Sequence, residues 1–553
     1  MTSTNPAAPP TVLRGVPVVA GVRCAQVIRP VRMPVSDGPA ADLAETLRPA
    51  EAARCTAAAA AVAARLRERA TRATGAAAQV LAAHATLAQD RAWLAAIDNR
   101  ITAGAPAVRA VAEATQEFAE MLTKLGAPMA ERVTDLYDIR DRVLAELCGI
   151  SEPVVPQPDQ PSILCARDLA PADAAELDPA RIIGLATTLG GPTSHTAIIA
   201  RELGIACVVA VAGLDEVPAG AMVLLDGSAG TITVGPDPAQ IATAPAGHDA
   251  GAWIGPGATA DGHPVALLAN LQDAPAAGAG GAEGVGLLRT ELCFLGRDVE
   301  PTVDEQAELY GRVLTAFAGR TVVIRTLDAG SDKPLGFVGH PVEPNPALGI
   351  RGIRTAWRHP GLLERQLEAV AVAARDTGQR PWVMAPMIAT VDEAKSFAAL
   401  ARSLGLSPGV MVEVPAAALL ADRILDHVDF LSVGTNDLAQ YAMAADRMSA
   451  DLSALTDPWQ PAVLALVGMA ARAGRAAGKP VGVCGEAAAD PLLAAVLVGL
   501  GVTSLSMAPA AIPAVGAQLA RVTEAQCRAA ADAVLAATTS VGARAAARAA
   551  MGE

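Results

Sequence analysis

One repeated figure constrains this chain more than any other. Through its second half a short apolar run is followed by a polar or charged residue and then by a helical stretch. The runs lie at 264–269, 284–288, 321–324, 349–351, 382–386, 409–412, 430–433 and 481–483. Short apolar runs alternating with helical stretches are the pattern of parallel strands joined by crossover helices. Eight such units predict a (β/α)8 barrel. In that fold, catalytic groups sit at the carboxyl ends of the strands. The residues at or just beyond those ends are Arg289, Arg325, Arg351, Glu413, Asn436 with Asp437, and Cys484. A purely structural barrel has no reason to collect them on one rim.

The first half reads differently. Residues 37–149 carry Leu, Val and Ala at helical spacing, which predicts an all-helical domain of about four helices. Short β-type runs stand on either side of it, at 18–22 and 25–28 before, and at 162–165, 182–185, 207–211, 222–225 and 231–234 after. The early runs are too short for a core of their own. The expectation is a discontinuous α/β domain, 1–36 and 150–236, with the helical domain 37–149 inserted. A Gly-, Pro- and Ala-rich stretch, 237–262, then reads as a linker to the barrel region 263–553. The predicted fold class is therefore multidomain α/β.

Charge and composition exclude some functions. The chain has 43 basic and 57 acidic residues, 43 − 57 = −14, which disfavours general nucleic-acid binding. If the substrate is an anion, positive charge has to be gathered locally. The eight cysteines show no CxxC pair and no zinc spacing. The amino terminus lacks the basic-then-apolar pattern of a signal peptide, and the apolar stretch 491–502 is too short to span a bilayer. A cytoplasmic location is expected.

The rim residues point to a chemistry. Arginine donates paired hydrogen bonds that match phosphate and carboxylate. Arg289, Arg325 and Arg351 end successive runs, and Arg447 follows the seventh. Each alone reads equally as an ion pair; together they suggest an anion pocket. Glu413 and Asp437 can each give magnesium one oxygen, with substrate and water completing the shell, or can pair with the arginines instead. Cys484, between Gly482 and Gly485, is a protonated thiol at neutral pH. It can donate a proton to a carbanion-like carbon, or serve as inert packing. Outside the barrel, His195 lies in GGPTSHTAIIAR, where Thr193 or Ser194 can cap the following helix. An imidazole at a helix amino terminus is well placed to carry a phosphoryl group, and a neutral imidazole is a competent nucleophile.

The motifs add up to a resemblance. GGPTSHTAIIARELGIACVV is similar to the phosphohistidine signature of phosphoenolpyruvate-utilising enzymes. GAEGVGLLRTEL, VVIRTLDAGSDKPL, NPALGIRGIR, GVMVEVPAAAL, FLSVGTNDLAQYAMAADR and GVCGE resemble, in order, the barrel motifs of the enzyme I family of the bacterial sugar phosphotransferase system. The resemblance implies a phosphohistidine swivelling α/β domain, an inserted helical domain that docks the phosphocarrier HPr, and a TIM-like barrel that binds phosphoenolpyruvate and forms a homodimer. It implies that His195 is the phosphorylated nucleophile and Cys484 the acid that protonates the enolate. It implies that Arg289, Arg325, Asn436 and Arg447 bind substrate, and that Glu413 and Asp437 bind Mg2+. The chain departs from the family at Pro192, where arginine is usual, and at Ala170 and Ala174, near where a threonine is usual. Two rivals are phosphoenolpyruvate synthase or pyruvate phosphate dikinase, which need an ATP-binding domain for which no glycine-rich loop is present, and a non-catalytic metabolite sensor, which would be expected to lose His195 or Cys484.

Overall fold

The computed structural model describes residues 11–552 except 20, 31–41, 73–74, 125–131, 151, 153–154, 157, 170, 175–176, 192–193, 228, 238–252, 254, 275–280, 295–296, 298, 332–334, 339–342, 448, 450–451 and 453. Most of the expected linker, with Pro192, Thr193 and Ala170, thus lies outside the described residues. The chain divides into two compact units. One is Met1–His248 with Met448–Ala450; the other is Asp249–Arg447 with Asp451–Glu553.

In the first unit, β1 (Thr11–Arg14), β2 (Val16–Val19) and β3 (Val22–Ile28) share one sheet with β4 (Ser162–Ala166), β5 (Ile182–Thr187), β6 (Ala206–Val209), β7 (Met222–Asp226) and β8 (Thr231–Val234). The order is β1-β8-β7-β3-β4-β5-β6-β2. β3 runs antiparallel to β7 and parallel to β4, so its backbone groups are paired on both sides. The sheet is therefore built from both ends of a segment interrupted by helices. Among the described residues those helices number five, not about four: α1 (Arg48–Arg72), α2 (Gly75–Leu87), α3 (Arg91–Thr102), α4 (Ala107–Lys124) and α5 (Arg132–Cys148). The additional break is at 88–90, between α2 and α3, where no glycine marks it, unlike the boundary at Gly75. α3 begins where the Asp90 carboxylate accepts from the Trp93 N–H at 2.8 Å. Trp93 is buried among Val62, Ile97, Val111 and Ile139, and its indole N–H donates to Thr115 at 3.2 Å. Two short helices follow β4 and β5, α6 (Pro171–Ala174) and α7 (His195–Leu203).

In the second unit, β9 (Ala266–Leu271), β10 (Gly284–Leu288), β11 (Thr321–Arg325), β12 (Trp382–Ala385), β13 (Ser407–Val412), β14 (Phe430–Gly434), β15 (Val481–Cys484) and β16 (Ser504–Met507) close a parallel barrel. The expected strand at 349–351 is not one. It is a three-residue link between 3-10 turns at Pro346–Leu348 and Gly352–Trp357, and the Arg351 guanidinium is buried in ion pairs. The eighth strand is β16, which pairs with β15 and β9 and so removes both edges. Ser-Leu-Ser-Met is too short and too polar to stand out as a strand. Along the strands, alternate residues divide between two cores. Val285, Ile324, Val383 and Val433 pack outward against the helices, while Leu287, Val323, Met384, Met411, Phe430 and Cys484 fill the barrel. Among the described residues, no helix is long and apolar enough to cross a membrane.

Candidate active site

The period of two that packs the barrel also aims the rim. Leu287 and Val323 face the axis, so Arg289 and Arg325, two residues on, lie on the inward side. By the same rule Glu413 follows Met411, and Cys484 is itself an inward residue. Arg289, Arg325, Asn436, Arg447, Glu413, Asp437 and Cys484 are thus brought to the carboxyl end of one barrel. His195 belongs to the other unit, as the first residue of α7. Ser194 is the N-cap there, its Oγ accepting from the Ala197 N–H at 3.3 Å. Gly190, with φ +90°, begins the turn. Gly204, in the left-handed conformation, ends the helix.

A chain of alternating charges crosses the rim. Glu291 accepts from Arg325 in a short contact. Arg325 lies 3.5 Å from Asp328, and Asp328 pairs with Arg351 at 2.9 Å. Arg351 lies 3.4 Å from Asp437, and Arg447 lies 3.4 Å from the other oxygen of Asp437. Arg351 therefore has a mainly internal role, tying Asp328 to Asp437. Glu291 and Asp328 lie two and three residues beyond Arg289 and Arg325, so the strand-end pattern alone does not single them out. Both stand within the motifs LLRTEL and VVIRTLDAGSDKPL.

The network is not closed. The Nε of Arg325 and one oxygen of Glu291 are buried and have no hydrogen-bond partner among the described residues. Burial opposes the charge on Arg325, yet Glu291 and Asp328 outweigh it and hold its pKa above the usual value. Arg289 is open to solvent at the mouth. The dehydrating walls around it, and then the Arg325 charge, lower its pKa. A dianionic ligand would relieve that repulsion and supply the acceptors Arg325 lacks.

Glu413 is almost fully buried and accepts a hydrogen bond from the Met387 N–H at 2.6 Å. Met387 takes a left-handed conformation, φ 61°, to present that N–H. Burial, then the charges of Asp437 and Asp328, push the Glu413 carboxyl up to about 8. Asp437 stands in the first turn of the helix Thr435–Met443, with Gln440 donating to it at 3.5 Å. Among the described residues no three His, Cys, Asp or Glu side chains converge as a self-sufficient metal cage. Glu413, whose charge is opposed by burial and by neighbouring carboxylates, does fit with Asp437 as a pair that gives a magnesium ion two oxygens, the rest of its shell coming from substrate oxygens and water.

The thiol of Cys484 is buried. It donates to the Val433 carbonyl at 3.5 Å and accepts from the Ser432 hydroxyl at 3.5 Å. Burial raises its pKa, only partly offset by the Ser432 hydrogen bond, so the thiol is held protonated. Gly485 follows with φ +110°; a Cβ there would lie 2.9 Å from the Thr435 hydroxyl and 3.1 Å from Asn436 Oδ1. That close approach lets Asn436 accept from the Glu486 N–H at 3.4 Å and sets it beside the thiol strand.

This geometry agrees with what the chain is similar to. The PEP-utilising enzyme, PEP-binding domain family matches residues 254–524, the mobile domain of such enzymes matches 158–230, and their N-terminal domain matches 14–132. A phosphoenolpyruvate-protein phosphotransferase of Streptomyces coelicolor is 50% identical over 550 residues, covering 98% of this chain and 99% of the relative. The chain belongs to the phosphoenolpyruvate-protein phosphotransferase family. Other relatives of that name, from Haloferax volcanii and Bacillus subtilis, are 40% and 36% identical over 84% and 81% of this chain, and over 85% and 83% of their own. The family assignment makes the chain a phosphotransferase, and the two rival readings of the sequence lose their ground.

Proposed function

We propose that the enzyme transfers the phosphoryl group of phosphoenolpyruvate to His195 and from there to a histidine of the carrier protein HPr, releasing pyruvate. This would be the first step of sugar uptake by the phosphotransferase system. The observation that carries the reading is the open charge network of the rim, directly above a buried, protonated thiol. Arg289, Arg325 and Arg447 bind and orient the phosphate and carboxylate, and Asn436 assists them. Glu413 and Asp437 would hold Mg2+, which when bound neutralises charge on the phosphate. His195 attacks phosphorus as the bond from phosphorus to the bridging oxygen breaks, and that oxygen leaves with the enolate. The enolate left behind takes the Cys484 proton at its methylene carbon and becomes pyruvate. Such transfer depends on positioning and charge neutralisation more than on covalent help from the protein. Proton donation by a placed acid contributes on the order of 10²- to 10⁴-fold.

The helical segment 37–149 would dock HPr, and the region 263–553 would form the homodimer. His195 has to serve both the barrel and the carrier, so the domain 1–36 with 150–236 would swivel about 237–262. The test is incubation with radioactive phosphoenolpyruvate, Mg2+ and HPr, followed by mapping of phosphohistidine on both proteins. The wild type should be labelled at His195 without ATP, and His195→Ala should carry no histidine label. A labelled histidine in that variant would refute the reading.

A further inference from the structure

The barrel has a second opening. A cavity of about 230 Å³ lies at the amino-terminal ends of the strands, opposite the charged rim. Exposed Thr321, Pro480 and Thr503 stand among its lining residues, and it reaches inward to Ser432, Val483 and Ser506. Trp382 and Phe430, ring centroids 4.7 Å apart, form part of its wall. Small residues keep the axis open. A Cβ on Gly286 would lie 2.5 Å from the Ser506 hydroxyl, and one on Gly482 would lie 2.5 Å from that of Ser504. Among the described residues no charged side chain lines the cavity, whereas several hydroxyls do. Its wall is more apolar than polar, but the hydroxyls of Thr321, Thr503 and Ser504 toward the mouth and of Ser506 and Ser432 farther in give a short file of water polar partners along its length.

Ser432 belongs to both ends of this arrangement. It lines the cavity, and its hydroxyl donates to the Cys484 sulfur at 3.5 Å. The thiol itself is buried, and its own proton points to the Val433 carbonyl. After each turnover the sulfur is a thiolate that needs a proton before the next. We propose that Ser432 returns that proton through the base of the barrel. The thiolate lone pair takes the Ser432 hydroxyl proton as the S–H bond forms. The serine oxygen in the same event takes a proton from hydronium or a protonated buffer, relayed by cavity water. The sulfur ends neutral, the serine is unchanged, and one proton has been drawn from solvent. This route leaves the product on the rim side undisturbed. Ser432 thus acts through Cys484 and touches no substrate.

The inference rests on Cys484 being the acid, and the experiment separates the two. Rapid-quench measurements would follow pyruvate formation by the full-length enzyme with phosphoenolpyruvate, Mg2+ and excess HPr. The first turnover uses the proton already on the thiol; later ones need its return. For Ser432→Ala, later turnovers should be at least about tenfold slower than the first, on the scale of one lost proton transfer. Raising the concentration of a small buffer acid should speed them. Ser432→Thr keeps the hydroxyl and should restore the wild-type ratio of the two phases. If Ser432→Ala slows both phases equally, or neither, the relay is wrong. If Cys484→Ala makes pyruvate normally in its first turnover, the assignment of the acid fails instead, whatever Ser432 does.

Discussion

Each of the two units buries an arginine network, and the contrast between them separates structure from chemistry. In the first unit Arg142 is almost fully buried, and each of its three guanidinium nitrogens has a carboxylate: Asp138 at 2.8 Å, Glu152 at 2.9 Å and Asp173 at 2.7 Å. It joins α5 to α6 and to the segment between, and it asks for nothing more. On the barrel rim Arg325 lacks a partner for Nε among the described residues, Arg289 faces water, and Glu413 is crowded by other carboxylates. Several contacts there stretch to 3.4 or 3.5 Å. A closed network stabilises one conformation, whereas an open one has capacity left for a ligand.

The comparison can be broken by experiment. The largest expected effect is on the rim. Cys484→Ala should slow pyruvate formation by about 10²- to 10⁴-fold, while phosphoryl return from phosphorylated HPr to His195 and the melting temperature stay near wild type. Equal loss of both reactions would argue against a proton donor. Arg447→Ala comes next. It should lower kcat/KM by about 10- to 100-fold, as for one lost charge-assisted hydrogen bond, again without a stability change. A large drop in melting temperature would place Arg447 with the structural arginines.

Arg142→Ala should do the reverse. Removing the buried cation that three carboxylates share should cost about 3–5 kcal/mol in the unfolding of the first unit, read by denaturant titration. A loss below about 1 kcal/mol would mean that network is not structural. The smallest effect is the pH dependence of Glu152. Burial disfavours its charge, but Arg142, Arg65 and Arg69 prevail and hold its pKa below the usual range. A depressed carboxylate adds stability above the unfolded-state pKa, near 4.3, and loses it as pH falls through the folded one. The stability difference between wild type and Glu152→Gln should therefore be full at neutral pH and shrink in acid. A gap that widens in acid would reverse the assignment.

Much of this was legible from residue order. Seven of the eight barrel strands, the segmented sheet of the first unit apart from β1 and the bounds of β2, and the polar residues at the strand ends follow from local periodicity and turn chemistry. The errors have a common cause. Residues 349–351 resemble a strand because glycine and isoleucine precede an arginine, but that arginine is drawn into the rim by Asp328 and Asp437, which are remote in sequence. Ser504–Met507 lacks a strong strand signal and is one because β15 and β9 leave a gap of one strand between them.

Sequence alone determined which chemical groups this chain can bring to its site, because strand periodicity and the residue after each strand are local properties. Only the tertiary structure decided how those groups are paired and which are left wanting. The Met387 N–H reaches Glu413, Asp328 occupies Arg351, and Ser432 faces both Cys484 and the cavity. Each depends on barrel closure, which sets neighbours by strand register and shear rather than by distance along the chain.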